Sequence, residues 1–143
     1  MASASANVAP VFLIDSNVLL DIANQDEKWH EWSETQLLVC GRKGRLAINP
    51  IIYAEVSCHY DDAAELEAAF PKRLYAHHEL PFEAALLAGK AFMQYRAAGG
   101  ARRSPQPDFY IGAHALAMGY TLVSRDRARY RTYFPKLKLI TPK

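Results

Sequence analysis

Cysteine is scarce in this sequence of 143 residues, with Cys40 and Cys58 as the only two. Two thiols cannot build the disulfide framework of a small secreted scaffold. The one neighbouring Cys-His pair, Cys58-His59, is adjacent rather than at zinc-ligand spacing. Long apolar runs are missing too. None approaches the roughly 20 residues that a spanning helix needs, so no membrane role is expected. The first ten residues, MASASANVAP, have neither a basic start nor a long apolar core and do not read as a secretory signal. Residues 1–10 are expected to be a flexible leader ahead of a single domain over 11–143, and the compartment expected is the cytoplasm. Linkers, repeats and low-complexity blocks are also lacking.

Negative charge is nearly absent from the C-terminal third. Residues 1–100 carry 8 Lys+Arg against 13 Asp+Glu, whereas residues 101–143 carry 9 against 2. A basic stretch of this kind is either a solvated face or an electrostatic footprint for a polyanion such as RNA. Arg102, Arg103 and Arg127 are the candidates for phosphate contact, with the first two leading because they closely precede an acid. The only acids in that segment are Asp108 and Asp126.

The pattern alternates strand and helix, which predicts an α/β domain around a mainly parallel sheet. Val11-Phe12-Leu13-Ile14 reads as a strand buried on both faces, ending at Asp15, with Ser16 or Asn17 able to cap the next helix. A helix is expected from Asp26 to about Lys43, then a strand at Leu46–Ile48. Asn49-Pro50 is a strong helix start, and it places Glu55 in the second turn. A helix over Asp61–Phe70, a strand within Leu74–Leu80 and a long helix over Phe82–Ala98 follow. Beyond a basic loop at Ala101–Pro107, Asp108 is expected to cap a helix that ends at Gly119. A strand over Tyr120–Val123, a short helix over Arg127–Tyr133 and an edge strand near Lys138–Ile140 complete the order.

Four acids stand out, and each alone has a structural reading. Asp15 and Asp126 follow apolar strands and could be turn or capping residues. Glu55 lies among Ile51, Ile52, Ala54 and Val56 and could be held by an ion pair. Asp108 could be only a cap. Together they mean more. Strand carboxyl ends form the ligand crevice of an open α/β sheet, and two carboxylates about 4 Å apart repel by about 4 kcal/mol at an effective dielectric near 20. Such a cluster calls for a cation. Hard oxygen ligands without an organised Cys/His set favour Mg²⁺ or Mn²⁺, ions suited to phosphodiester hydrolysis.

The strings VFLIDSNVLLD, IIYAEVS and PDFYIGAHALAMGYTLVSRD, in this order and at these spacings, resemble the PIN-domain family and in particular its VapC-type toxins. The resemblance spans about residues 11 to 140. It implies a three-layer α/β/α fold and a metal-dependent endoribonuclease, the toxin of a type II toxin–antitoxin pair. Asp15, Glu55, Asp108 and Asp126 would hold Mg²⁺, with Mn²⁺ able to substitute, and Asn17 would hold water or an acid in place. Asp126 matches the position that varies in the family, so it is the conditional fourth ligand. The implied partners are RNA, a VapB-type antitoxin covering the site and a second copy in a homodimer. The alternatives are a PIN-like module that binds RNA or a partner without cleaving, and an aspartate-nucleophile phosphatase. The second is disfavoured because Asp15-Ser16-Asn17 lacks a second Asp two residues on.

Other residues carry blander expectations. His77 and His78 would point to opposite faces of a strand, and His114 lies about 240° around the helix from Asp108. Trp29 and Trp32 are expected to pack or to line an antitoxin groove. Asp21 is expected to be a surface acid, and Ser124 and Arg125 are assigned no chemistry.

Overall fold

A computed structural model describes residues 9–143; most of the expected leader, residues 1–8, lies outside the described residues. Val11–Ile14 forms β1, and the consecutive burial of Phe12, Leu13 and Ile14 shows that both faces of the strand are covered. The other strands are β2 (Arg45–Ile48), β3 (Ala76–His77), β4 (Thr121–Val123) and β5 (Lys138–Ile140). They pair in the order β3-β2-β1-β4-β5, and every pairing is parallel. The sheet is the centre of the α/β/α architecture that the sequence predicts, and it is wholly rather than mainly parallel.

The order has a functional consequence. The chain builds outward from β1 through β2 to β3, then returns to the other side of β1 for β4 and β5. The switch point therefore lies between β1 and β4, where a crevice opens beyond the strand ends. Ile14 pairs with Val123, so Asp15 and Ser124 leave the sheet side by side. The Asp15 N–H donates to Val123 O at 2.9 Å and extends the ladder by one bond.

Seven helices occur among the described residues: α1 (Ser16–Ala23), α2 (His30–Lys43), α3 (Pro50–Ser57), α4 (Ala63–Ala69), α5 (Phe82–Ala97), α6 (Pro107–Met118) and α7 (Arg127–Tyr133). Asp15 itself caps α1, accepting from Ser16 N at 2.8 Å, so neither Ser16 nor Asn17 takes that role. α2 begins later than its periodicity predicts. The Asp26 carboxylate accepts from Lys28 N and Trp29 N and holds a turn ahead of the helix. Asn49 caps α3 as expected, accepting from Ile52 N at 2.9 Å. The strand expected within Leu74–Leu80 shortens to Ala76–His77.

One difference bears on the site. Pro107 takes the first position of α6 and Gln106 the cap, so Asp108 is the second helical residue rather than its cap. Its carboxylate is thereby free to reach another chain segment. No helix among the described residues is long and apolar enough to cross a membrane.

Candidate active site

Asp15 sits at the carboxyl end of β1 and is only 3% exposed. Its Oδ2 accepts from Ser124 Oγ at 2.7 Å and from Tyr130 Oη at 2.9 Å. Burial raises its pKa from 3.8 to about 6, against the lowering effect of those two donors, and the charge of Asp108 raises it further. Its described partners are hydroxyls and one backbone N–H, none of them a cation.

Glu55 reaches the same place from α3. Its Oε1 accepts from Ser16 Oγ at 2.9 Å, so it touches the residue next to Asp15 rather than forming an ion pair with arginine. Its pKa is also raised, first by burial and then by the charge of Asp108. Both carboxylates thus sense Asp108 electrostatically.

Asp108 and Asp126 share a single basic partner. The Arg129 guanidinium is bonded to Asp108 Oδ2, and its Nε lies 3.7 Å from Asp126 Oδ2. The Asp126 side chain also caps α7 through Arg129 N at 3.3 Å. Its backbone N–H donates to Ser124 Oγ at 3.0 Å, which ties this segment to Asp15 through one hydroxyl. Asn17 braces the same hydroxyl, donating from Nδ2 to Ser124 Oγ at 3.3 Å and accepting from Arg125 N at 3.2 Å.

The four acids therefore lie on one hydrogen-bonded and electrostatic network, but they do not form a closed ligand shell. Among the described residues, no three His, Cys, Asp or Glu side chains are grouped closely enough to hold a metal ion. The chemistry of the donors fits a hard divalent cation all the same. They are oxygen atoms only, one carboxylate is almost fully desolvated, and two of them are raised in pKa, chiefly by burial and further by the charge of a third. Asp15, Glu55 and Asp108 would hold such an ion, with Asp126 beside them.

A groove of about 570 Å³ borders the cluster, lined in part by Tyr95, Arg102, Gln106, Asp126, Arg129 and Tyr133. Arg102 is thus brought to the site. Arg103 and Arg127 are exposed and do not line this groove.

Sequence reasoning missed several contacts. Asp21 is no surface acid. It is 3% exposed, accepts from Ser33 Oγ at 2.6 Å, and is bound in a fork by Arg125 Nε at 2.8 Å and Nη2 at 3.0 Å. Arg125 also lies over the Trp29 ring, 5.3 Å from its centre. Ser124 and Tyr130 hold Asp15. Their only local signals are the position of Ser124 directly after a strand and an apolar spacing, Tyr130 with Phe134, that marks the inner face of α7. His114 is buried and paired with Asn49 Nδ2 at 3.0 Å, so it links α6 to the cap of α3.

The sequence profile of the PIN domain matches residues 12–135. No curated protein matches the sequence. Among solved structures, the fold is similar to VapBC2 from Rickettsia felis bound to a fragment of promoter DNA, with TM-score 0.72 and 15% identity over 93% of this chain and 99% of that one. It is similar to VapBC-1 from nontypeable Haemophilus influenzae, with TM-score 0.66 and 18% identity over 92% and 97% of the two chains. A toxin–antitoxin complex from Klebsiella pneumoniae gives TM-score 0.65 and 18% identity, also over 92% and 97%. At these identities the likeness is one of fold.

Proposed function

Because the chain belongs to the PIN-domain family, we propose that it is a Mg²⁺- or Mn²⁺-dependent endoribonuclease, the VapC-like toxin of a type II toxin–antitoxin pair. The observation that carries this reading is the network at the β1/β4 switch point. Acids from four chain segments are linked there through Ser16, Ser124 and Arg129, and Asp15 stays buried with no described cationic partner. Asp15, Glu55 and Asp108 would hold the divalent ion, which would supply phosphate binding, activation of water and charge neutralisation for phosphodiester hydrolysis.

The chain's own residues prepare that chemistry. Ser124 and Tyr130 fix the rotamer of Asp15, and Asn17 fixes Ser124. Ser16 aims Glu55 toward the first strand end. The groove with Arg102 and Arg129 gives an RNA backbone a basic approach beside Asp126. Arg103 and Arg127, exposed on the flanks, would add to the field rather than to the fit.

The structural neighbours are toxin–antitoxin complexes, which supports a VapB-type antitoxin as partner. An apolar stripe on α5, with Phe82 95%, Leu86 62% and Met93 63% exposed, supports a protein partner of some kind, whether the antitoxin or a second copy in a homodimer. Size-exclusion chromatography with light scattering separates monomer from dimer.

One observation favours a second reading, a non-cleaving RNA-binding module: Arg129 occupies Asp108, and among the described residues no three acids converge. A single assay decides. The purified protein should cut RNA with Mg²⁺ or Mn²⁺, stop with EDTA, and lose cleavage on Asp15→Asn. Full cleavage by that variant sinks the assignment of Asp15 to the active site. RNA binding that fades with salt, with no cleavage under either metal, establishes the binding module instead.

A further inference from the structure

We propose that Arg129 is a built-in counter-ion of the carboxylate cluster, competing with the divalent cation for Asp108 and Asp126. The inference rests on the metal-dependent reading above and concerns how that site is kept when no cation is present.

Three observations carry it. Arg129 bonds Asp108 Oδ2 across 21 residues of sequence and lies within ion-pair distance of Asp126, so one guanidinium spans the two acids. A guanidinium suits this task because it is always charged, weakly hydrated and able to engage more than one oxygen. Secondly, three other arginines of this region are committed elsewhere. Arg125 is held by Asp21, Arg131 by the carbonyls of Pro135 and Leu137, and Arg96 by the carbonyls of Ala101 and Arg102. Thirdly, Arg129 holds Asp108, and among the described residues no three acids are grouped closely enough to hold a metal ion.

The position of Arg129 follows from the start of α7. Asp126 caps the helix, and Arg129 is three residues on, the spacing that brings its side chain back over the cap. The partner it gains there, Asp108, is freed for the contact because Pro107 and Gln106 open α6 in its place.

Competition is then a matter of shared oxygens. The Oδ2 of Asp108 that accepts from Arg129 cannot at the same time give that lone pair to an ion. Arg129 also has somewhere to go. Its side chain is 55% exposed and borders the groove that Arg102 and Gln106 line. A polyanion in that groove would offer the guanidinium a phosphate in exchange for the carboxylates. Cation and polyanion should therefore bind cooperatively, each lowering the cost of releasing Arg129 for the other.

The test reads metal affinity rather than cleavage. Mn²⁺ is titrated calorimetrically into wild type, Arg129→Met, Arg129→Lys and Arg127→Met, without RNA and then with a single-stranded oligodeoxynucleotide. Arg129→Met should bind Mn²⁺ on the order of three- to tenfold more tightly, the range for a half-exposed, charge-assisted pair. Arg129→Lys, which keeps the charge, should stay near wild type. Arg127→Met should shift affinity less than twofold, because an exposed charge acts only through a screened field. The oligodeoxynucleotide should tighten Mn²⁺ binding to wild type and not to Arg129→Met.

Equal Mn²⁺ affinity in wild type and Arg129→Met would overturn the inference and leave the nuclease reading standing. So would weaker binding by Arg129→Met, or an equal gain in Arg127→Met, which would make the effect one of net charge. If none of the four proteins binds Mn²⁺, the metal-dependent reading falls and takes this inference with it.

Discussion

Tyr130 donates its phenolic hydrogen to Oδ2 of Asp15, 115 residues earlier in the chain, at 2.9 Å. Tyr130 is 1% exposed and its own pKa is pushed well up, first by burial and then by the Asp15 charge, so it stays a donor at any working pH. The bond matters because a buried carboxylate has few ways to remain ionised. Removing the hydroxyl in Tyr130→Phe should cost about 1.5–3 kcal/mol of stability in urea unfolding. It should also raise the pKa of Asp15, moving the acidic limb of the pH–rate profile upward. A variant with unchanged stability and an unchanged limb would show that Tyr130 packs beside Asp15 without holding it.

Asp15 makes stability depend on pH in a defined direction. Its folded pKa is about 6 against 3.8 for the free side chain, so between those values the native state binds more protons than the unfolded chain. Stability contributed by this group therefore falls as pH rises through the window, by about 3 kcal/mol in total. His114 acts in the opposite sense. Burial pushes it down to about 4 from 6.5, so its contribution is lost as pH falls through nearly the same range. The two partly cancel in wild type. The difference in stability between Asp15→Asn and wild type, measured in EDTA, isolates the first. It should shift toward the variant by about 2–3 kcal/mol from pH 4 to pH 7. A flat difference would refute the raised pKa.

Gly112 on α6 is where the support of Asp15 meets the core. A Cβ at this position would lie 2.6 Å from the Phe134 ring and 3.0 Å from the Tyr130 ring. Both rings are buried, so a shift of either must displace its packed neighbours. Gly112→Ala should therefore destabilise by about 1–3 kcal/mol through overpacking. Because the displaced ring includes Tyr130, RNA cleavage should fall by more than the loss of folded protein explains. Cleavage per folded molecule, with the folded fraction taken from circular dichroism, is the measurement.

How much was legible in the sequence depended on how local each cause is. Asp15 is legible because four apolar residues run straight into it, and Glu55 because Asn49-Pro50 sets the helix register. The parallel sheet follows from strands buried on both faces. Asp108 reads as a cap in the sequence, but Pro107 at the first helical position moves the start back by one residue. The bond from Tyr130 to Asp15 has no local signature, because a tyrosine on an inward face looks the same whether its hydroxyl bridges 115 residues or none. Arg129 is one of several arginines in the basic C-terminal segment, and nothing local marks it as the one that bonds Asp108.

Asp21 shows that limit most sharply, and it yields a last prediction. On α1, six residues past Asp15, it has the look of a solvated helix acid; its partner Arg125 lies 104 residues away. The pair is forked, with one side nearly fully buried and the other partly covered by Trp29. Breaking such a pair from one side leaves an unpaired group in a poorly solvated place. Asp21→Ala should therefore cost about 3–5 kcal/mol. Removing both partners is different, since no orphaned charge remains. Asp21→Ala with Arg125→Met should be less destabilised than the sum of the single variants, with a coupling of about 1–3 kcal/mol in a double-mutant cycle. The cycle also bears on the site. Arg125 N donates to Asn17 Oδ1, and Asn17 braces the hydroxyl that holds Asp15. If the Asp21–Arg125 pair anchors this strand end, Asp21→Ala should lower RNA cleavage per folded molecule although it touches none of the four acids. Additive stabilities and unchanged cleavage would confine Asp21 to local packing without influence on the site.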